Sequence, residues 1–170
     1  MMPEVESNIY SEGRNKILNE IQVDNNTLKK ISFTIPGQPF GKQRPKFSRR
    51  GNKVITYTPD KTVNYERLIQ IMASNTAKGY KFEEGVSLGI FIMAYYNIPK
   101  STSKKNKELM LNSKILPNKK PDWDNIGKII CDSLNSILYH DDKDVVEAYV
   151  QKRYSEIPRV EVLIYQVNQF

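Results

Sequence analysis

Aspartates concentrate at two places in a chain that is otherwise strongly basic. Asp122 and Asp124 lie in the segment KPDWDN (residues 120–125), and Asp141 and Asp142 follow further along the chain. Crowded carboxylates raise one another's pKa unless a cation neutralises them. Such groups therefore indicate a divalent metal site or acid–base chemistry. Because the net charge of the chain is +7, the partner that both features favour is a nucleic-acid backbone.

The counts of cysteine and histidine restrict which metal such a site could bind. The chain has 1 cysteine, Cys131, and 1 histidine, His140, which is too few for a structural zinc site. Oxygen atoms must therefore supply most of the ligands, which favours magnesium, manganese or calcium. The single cysteine also excludes an internal disulfide and is typical of the reducing cytoplasm, where we expect the protein. No apolar run approaches the roughly 20 residues of a membrane-spanning helix, and no secretory signal is visible.

Basic residues are concentrated in two blocks of the sequence. The first block, between residues 31 and 53, has no acidic residue among Lys42, Arg44, Lys46, Arg49, Arg50 and Lys53. The second block, between residues 100 and 120, has Glu108 alone against Lys100, Lys104, Lys105, Lys107, Lys114, Lys119 and Lys120. Such clustering is typical of proteins that bind a polyanion. The alternative is that each block is a solvated loop whose charge serves solubility.

The clearest helical period in the chain lies between residues 122 and 138. Its apolar side chains fall on one stripe, formed by Ile126, Ile130, Leu134 and Ile137 with Ile129 and Leu138 at its edges. The opposite face carries Asp124, Lys128, Asp132 and Asn135. The sequence therefore predicts an amphipathic helix that buries its isoleucines and presents Asp124 on a polar face, with Pro121 at its entry.

Each of these polar residues also has a purely structural interpretation. Asp122 or Asp124 could cap the helix, where the macrodipole favours negative charge. Lys128 could form a surface pair with Asp124 worth about 0.3 kcal/mol, and Asp141 with Asp142 could be an exposed turn. The combination of both acidic sites with a lysine one turn after Asp124 favours a chemical role over these alternatives.

The remaining periodicities predict an α+β fold. Strands are predicted at 30–37, 54–58, 85–97, 144–154 and 159–167, and residues 38–52 are expected to form a loop or an irregular hairpin arm. Helices are predicted from Asp60 toward Gly79 and from a cap at Ser101 or Ser103 through Leu111. We expect a mixed, largely antiparallel sheet with helices packed against it and with 85–97 at its centre, in one domain over residues 29–170. Residues 1–28 are expected to be a peripheral segment, either a short helix or partly disordered.

The acidic segments resemble the core of a known nuclease family. The segments in question are KPDWDNIGK (120–128), DSLN (132–135) and YHDD (139–142). Together they closely resemble the RusA family of Holliday junction resolvases. Further similar segments within residues 31–164 are IPGQP (35–39) with Lys42 and Arg44, YTP (57–59) with Tyr65 and Glu66, and IPKS (98–101) with SKK (103–105). Two positions depart from the family pattern, because Trp123 stands where a smaller aliphatic residue is expected and Gly127 weakens the helix by about 1 kcal/mol relative to alanine.

The resemblance implies a dimeric, magnesium-dependent endonuclease, with manganese as a substitute metal. Such an enzyme cuts four-way DNA junctions by paired symmetric nicks in recombination and repair. The positions implied as catalytic are Asp122, Asp124, Lys128 and Asp142. The implied metal ligands are Asp122, Asp124 and Asp142, with Asp141 as an additional candidate. The resemblance implies no role for Asp132 or His140.

The basic blocks are expected to position DNA through its phosphates without reading its sequence. The residues predicted to bind DNA are Lys42, Arg44, Lys46, Lys104 and Lys105. Two alternatives stay open: a nuclease of other branched DNA, such as flaps or forks, and a non-catalytic protein that binds branched DNA. The carboxylates disfavour the second alternative, because a protein that only binds DNA has no reason to place anions against phosphates.

Overall fold

The computed structural model describes residues 29–51 and 53–167, so the predicted peripheral segment 1–28 lies outside the described residues. The described residues form six strands, three α-helices and one short 3-10 helix. In chain order they are β1 (Lys30–Pro36), β2 (Lys46–Arg50), β3 (Lys53–Tyr57), α1 (Asp60–Ala77), β4 (Leu88–Asn97), α2 (Lys104–Leu111), α3 (Trp123–Leu134), the 3-10 helix (Asp142–Asp144), β5 (Val145–Ser155) and β6 (Arg159–Gln166). The predicted α+β class is confirmed.

Four of the strands form one mixed sheet in the order β1-β6-β4-β5. β6 pairs antiparallel with β1 and β4, whereas β5 lies parallel to β4. The sheet is thus largely antiparallel, as predicted, and β4 lies inside it with nearly all its side chains buried. Parallel neighbours need a long crossover connection. Here that connection contains α2, α3 and both acidic sites.

One face of this sheet packs against α1 and α3. The apolar stripe predicted for α3 is buried, since Ile126, Ile129, Ile130 and Leu134 are each 0% exposed. Burying a side chain of this size contributes roughly 1.5–3 kcal/mol relative to leaving it in water. This burial fixes the helix on the sheet and turns Asp124 toward solvent.

The predicted end of this helix is wrong. α3 ends at Leu134 rather than at Leu138. Asn135 is extended, and Ser136 is left-handed with φ 64°. The N–H of Ser136 then donates to the carbonyl of Tyr139 at 2.7 Å, so the chain turns back. The apolar period continues past the helix because Leu138 still packs in the core, at 0% exposure.

Residues 46–57 form a two-stranded hairpin that is not part of the main sheet. β2 pairs antiparallel with β3, and Gly51 has a φ of 62° at the turn. Residues 46–50 are thus a regular strand, whereas the sequence predicted a loop or an irregular hairpin arm there. Every residue of β3 is exposed, and Phe47 of β2 is 74% exposed. Because neither strand has a clearly buried side, the alternation that signals a strand is weak here.

The longest described helix, α1, has 18 residues and carries the charged side chains of Asp60, Lys61, Glu66 and Arg67 in its first half. Within residues 29–51 and 53–167, no helix combines the length and the apolar character needed to cross a membrane. The cytoplasmic location expected from the single cysteine stays a prediction.

Candidate active site

Asp122 immediately precedes α3, and Asp124 lies in its first turn. The backbone of Asp122 is extended, as is typical of an N-cap residue, and its carbonyl accepts from the N–H of Ile126 at 3.1 Å. Its side chain makes no cap hydrogen bond. The alternative in which the Asp122 carboxylate serves only to cap the helix is therefore not realised. Both aspartates are exposed at the positive end of the helix dipole.

Lys128 lies one helical turn after Asp124, and it is exposed. In the part of the chain that the structure describes, no ion pair joins these two side chains. The surface pair considered as a structural alternative is therefore not formed. An exposed ammonium group beside exposed carboxylates is suited to contact a phosphate.

The turn before Asp122 is held to the sheet by side chains of β4 and β5. The hydroxyl of Tyr96 donates to the carbonyl of Pro121 at 3.3 Å, and the amine of Lys152 donates to the same oxygen at 3.1 Å. Lys152 also donates to the carbonyl of Lys119. Burial lowers the pKa of Lys152, the negative charge of Asp122 opposes that shift, and the positive charge of Lys119 adds to it. Lys152 at this end of α3 thus binds backbone carbonyls.

Residues 39–43 pack against the same end of α3. The N–H of Lys42 donates to the carbonyl of Asn125 at 2.9 Å. Gly41 lies so close to the start of α3 that an added Cβ would lie 2.6 Å from Cβ of Pro121 and 3.0 Å from Cβ of Asn125. Only glycine fits there without movement of the neighbouring backbone. Between this loop and the turn before α3 lies a groove of about 430 Å³.

The side chain of Lys42 is paired inside the protein. Its amine lies 2.5 Å from Oε1 of Glu66 and 3.1 Å from Oδ2 of Asp132. Burial lowers the pKa of Lys42, but hydrogen bonds and charge attraction from Glu66 and Asp132 outweigh burial and raise it above its ordinary value. Lys42 therefore links the loop, α1 and α3. Its predicted role in DNA binding competes with this internal pairing and stays a prediction.

Asp132, for which no role was expected, forms an ion pair with Lys42 and also acts through its charge on Asp142 of the second acidic site. Partial burial raises the pKa of Asp142, and the negative charge of Asp132 raises it further, as does the neighbouring Asp141. The pKa of Asp141 is lowered, chiefly because the N–H of Lys143 donates to its Oδ1 at 2.9 Å. The two adjacent carboxylates therefore differ, and Asp141 is the more readily ionised of them.

The carboxylates implied as metal ligands lie in two groups, one at the start of α3 and one at the start of the 3-10 helix. Asp132, whose charge acts on Asp142, follows Asp124 by eight residues on a helix that rises about 1.5 Å per residue, so it lies about 12 Å further along the axis. Among the residues described, no set of three or more Asp, Glu, His or Cys side chains is close enough to hold a metal ion. The structure thus does not bring Asp122, Asp124 and Asp142 into one coordination sphere. Magnesium keeps several waters and needs only one or two carboxylates, so the donors of either group fit it.

The other residues predicted to bind DNA are exposed on two separate elements. Arg44 and Lys46 lie in the loop before β2 and at the start of β2, and Lys104 and Lys105 lie in the first turn of α2. Of the two predicted caps, Ser103 caps α2, and its hydroxyl accepts a hydrogen bond from the N–H of Asn106 at 3.3 Å. Exposure is what phosphate contacts require, and DNA binding by these residues stays a prediction.

The sequence is similar to known proteins along most of its length. The model of the family described as "Endodeoxyribonuclease RusA" matches residues 36–165. The protein belongs to the RusA endodeoxyribonuclease family. A Bacillus subtilis (strain 168) protein named "Uncharacterized protein YqaN" is 38% identical over 140 residues, which cover 81% of this chain and 97% of that relative. The resemblance recognised in the acidic segments is confirmed.

The part that matches the RusA family also contains site residues that sequence reasoning missed, above all Tyr96 and Lys152. Lys152 carries a signal that was available, because it lies on β5 between Val150 and Tyr154, two alternate residues that pack against the core. A charged residue in such a row requires polar partners. The partner itself could not be read from the sequence, since Pro121 lies 31 residues away.

Proposed function

We propose that this RusA-family protein is a magnesium-dependent endonuclease that resolves four-way DNA junctions by paired symmetric nicks, with manganese as a substitute metal. Its cellular role is recombination and repair. The observation that carries the proposal is the N-terminal end of α3, where Asp122 and Asp124 are exposed and Lys128 follows one turn later. Lys152 at this end binds carbonyls, which leaves the carboxylates available to a ligand. Family membership supports DNA as the substrate.

Hydrolysis of a phosphodiester needs an activated water and stabilisation of the charge that builds up on the phosphate. The chemistry that magnesium supplies when bound is acidification of a water molecule and polarisation of a phosphoryl oxygen. Lys128 stabilises negative charge on the phosphate through its ammonium group. Asp122 and Asp124 are assigned to hold one ion, partly through water. Asp142, with Asp141 as the additional candidate, is assigned to a second ion, because no three described carboxylates lie close enough to hold one ion together.

A homodimer follows from the paired nicks, because each DNA strand needs its own active site. The exposed basic residues then contact phosphates and position the junction without reading its sequence. The residues assigned to this task are Arg44, Lys46, Lys104 and Lys105, with Lys42 at the margin of the groove.

The replacement Asp124→Asn tests the proposal. We expect cleavage of a synthetic four-way junction in magnesium to fall about 100-fold or more, because metal stabilisation of the transition state is worth several kcal/mol. Junction binding without divalent metal should be retained. Glu83→Gln is a matched control, since it also converts an exposed carboxylate to an amide, and it should cut at the wild-type rate. Cleavage by Asp124→Asn at the wild-type rate would disprove the assignment.

A panel of DNA substrates separates the alternatives. Faster cleavage of a four-way junction than of a flap, a fork or a linear duplex supports junction resolution. Preferred cleavage of flaps or forks indicates a nuclease of other branched DNA. Binding of branched DNA with no cleavage of any substrate in magnesium or manganese indicates the non-catalytic alternative.

A further inference from the structure

The carbonyl of Pro121 accepts hydrogen bonds from side chains of two adjacent strands. Tyr96 of β4 donates at 3.3 Å, and Lys152 of β5 donates at 3.1 Å. The amine of Lys152 also donates to the carbonyl of Lys119. Residues 119–121 have no regular secondary structure, so these side-chain donors satisfy carbonyls that no helix or strand engages. The turn that leads into α3 is thereby held by the inner strand β4 and the edge strand β5.

Some of the groups around Lys152 disfavour the positive charge of its ammonium group. It lies 5.4 Å from the ring centre of Tyr96, and the amine of Lys119 lies 5.1 Å from the same centre. The two like charges repel, and burial disfavours the charge of Lys152 as well. What favours the position is the pair of carbonyls, the aromatic ring and the negative charge of Asp122. These contacts therefore indicate a specific task for the group.

We propose that Lys152 and Tyr96 are positioning residues that orient Asp122 through the backbone of Pro121. Asp122 follows Pro121 directly, and its side chain makes no cap hydrogen bond. The position from which its carboxylate projects therefore depends on the turn before it. The expected effect on DNA cleavage rests on the proposed function, whereas the contacts that hold the turn do not depend on it.

Trp123 provides a measurement of the turn that does not depend on cleavage. It is the single tryptophan of the chain, it follows Asp122 directly, and it is 65% exposed. Its time-resolved fluorescence anisotropy therefore reports motion at this end of α3. Two variants are compared with wild type: Lys152→Met removes the ammonium group and keeps an apolar stem, and Tyr96→Phe removes only the hydroxyl. We expect both to increase the fast component of the anisotropy decay.

The control for the lost charge is Lys81→Met. Lys81 is exposed and precedes Phe82, whose N–H donates to the carbonyl of Leu138 at 2.8 Å, just beyond the other end of α3. This variant loses the same charge as Lys152→Met far from the turn before Asp122. Its anisotropy decay should equal that of the wild type.

Cleavage of a four-way junction in magnesium provides the second measurement. We expect kcat to fall about 10-fold in Lys152→Met and less in Tyr96→Phe, because losing a group that orients a metal ligand typically costs about 10–100-fold. Junction affinity without divalent metal should stay at the wild-type value. Because both side chains act on one carbonyl, the double variant should lose less than the product of the two single losses.

A wild-type anisotropy decay in both variants would overturn the proposal. A fall in junction affinity with a weaker salt dependence would overturn it too, since Lys152 would then be a phosphate contact. If the wild-type protein cuts no branched DNA, the proposed function fails, and the anisotropy still decides whether the two side chains hold the turn. If Lys152→Met does not fold, Tyr96→Phe decides by the same decay, because it alters a bond to the same carbonyl.

Discussion

At the N-terminal end of α3, lysine and tyrosine side chains bind the backbone just before Asp122, whereas in the second half of the helix a lysine binds a carboxylate, that of Asp132. Asp122 and Asp124 are exposed. The Asp132 side chain is only 29% exposed, and its partner Lys42 is held by a second carboxylate. The acidic residues of α3 and its N-cap are thus of two kinds. Asp122 and Asp124 are available to a ligand, whereas Asp132 forms an ion pair inside the protein.

A carboxylate near a lysine is therefore not neutralised by proximity alone. A lysine that donates to a backbone carbonyl supports the position of a neighbouring aspartate and leaves its oxygen atoms unoccupied. A lysine that donates to the carboxylate itself occupies those oxygen atoms and contributes to stability instead. The atom that accepts the hydrogen bond therefore separates candidate ligands from structural acids along α3.

The largest effect that bears on this comparison is expected from Asp122→Asn set beside Asp132→Asn. For Asp122→Asn we expect junction cleavage to fall about 100-fold, equivalent to about 2.7 kcal/mol, with little change in the free energy of unfolding. For Asp132→Asn we expect the reverse, a loss of about 1 kcal/mol of stability from a partly buried ion pair and a much smaller loss of cleavage. Cleavage rates and urea unfolding of the two variants provide the measurement. If Asp132→Asn abolishes cleavage at wild-type stability, Asp132 belongs to the catalytic site and is not a structural acid.

A smaller effect is expected from Lys42→Met. Without the ammonium group, Glu66 and Asp132 face each other with no cation between them, so we expect the free energy of unfolding to fall by about 1 kcal/mol. Urea unfolding in the absence of divalent metal measures it. Lys46→Met, on exposed β2, is the control and should change stability by less than about 0.5 kcal/mol. Unchanged stability together with weaker junction binding in Lys42→Met would instead make Lys42 chiefly a DNA contact.

The smallest effect concerns pH and Asp142. The pKa of Asp142 in the folded protein is raised. Just above the ordinary carboxyl range, the folded state therefore binds more protons than the unfolded state. The free energy of unfolding falls as pH rises through that range. Asp142→Asn removes this dependence, so without metal we expect a gain of at most about 0.5 kcal/mol at neutral pH, limited by solvent screening. At a pH below the ordinary carboxyl range the gain should vanish. Thermal unfolding at both pH values measures the difference, and an equal gain at both would assign it to another cause.

Much of α3 could be predicted from the sequence, because the residues that determine its period and its buried face are close together in the chain. The apolar period alone predicted the buried face with Ile126 and Ile130. The resemblance of the acidic segments to the RusA family was also confirmed. The same period placed the helix end too late, since Leu138 is buried whether or not the helix reaches it. A pattern of burial reports which side chains face the core and not the conformation of the backbone that carries them.

The contacts that distinguish the two ends of α3 could not be predicted. Lys42 meets Glu66 at a separation of 24 residues, and Lys152 meets Pro121 at a separation of 31. A lysine has three donors and a long flexible stem, so its partner is decided by tertiary packing rather than by its neighbours in sequence. For the same reason Asp132, which resembles any helix-surface acid, had no predicted role.

The parallel pairing of β4 with β5 has a consequence for the order in which this protein matures. Tyr96 and Lys152 come from these two strands, and the residues they hold lie in the connection between them. Parallel pairing across a long connection forms slowly, because the connection must close into a loop before contacts between the two strands can stabilise it. The turn before Asp122 can be fastened only once β5 has joined the sheet. A partly folded chain without β5 lacks the Lys152 contact to Pro121. If Lys152 positions Asp122 as proposed, such a chain would cut more slowly than the complete protein.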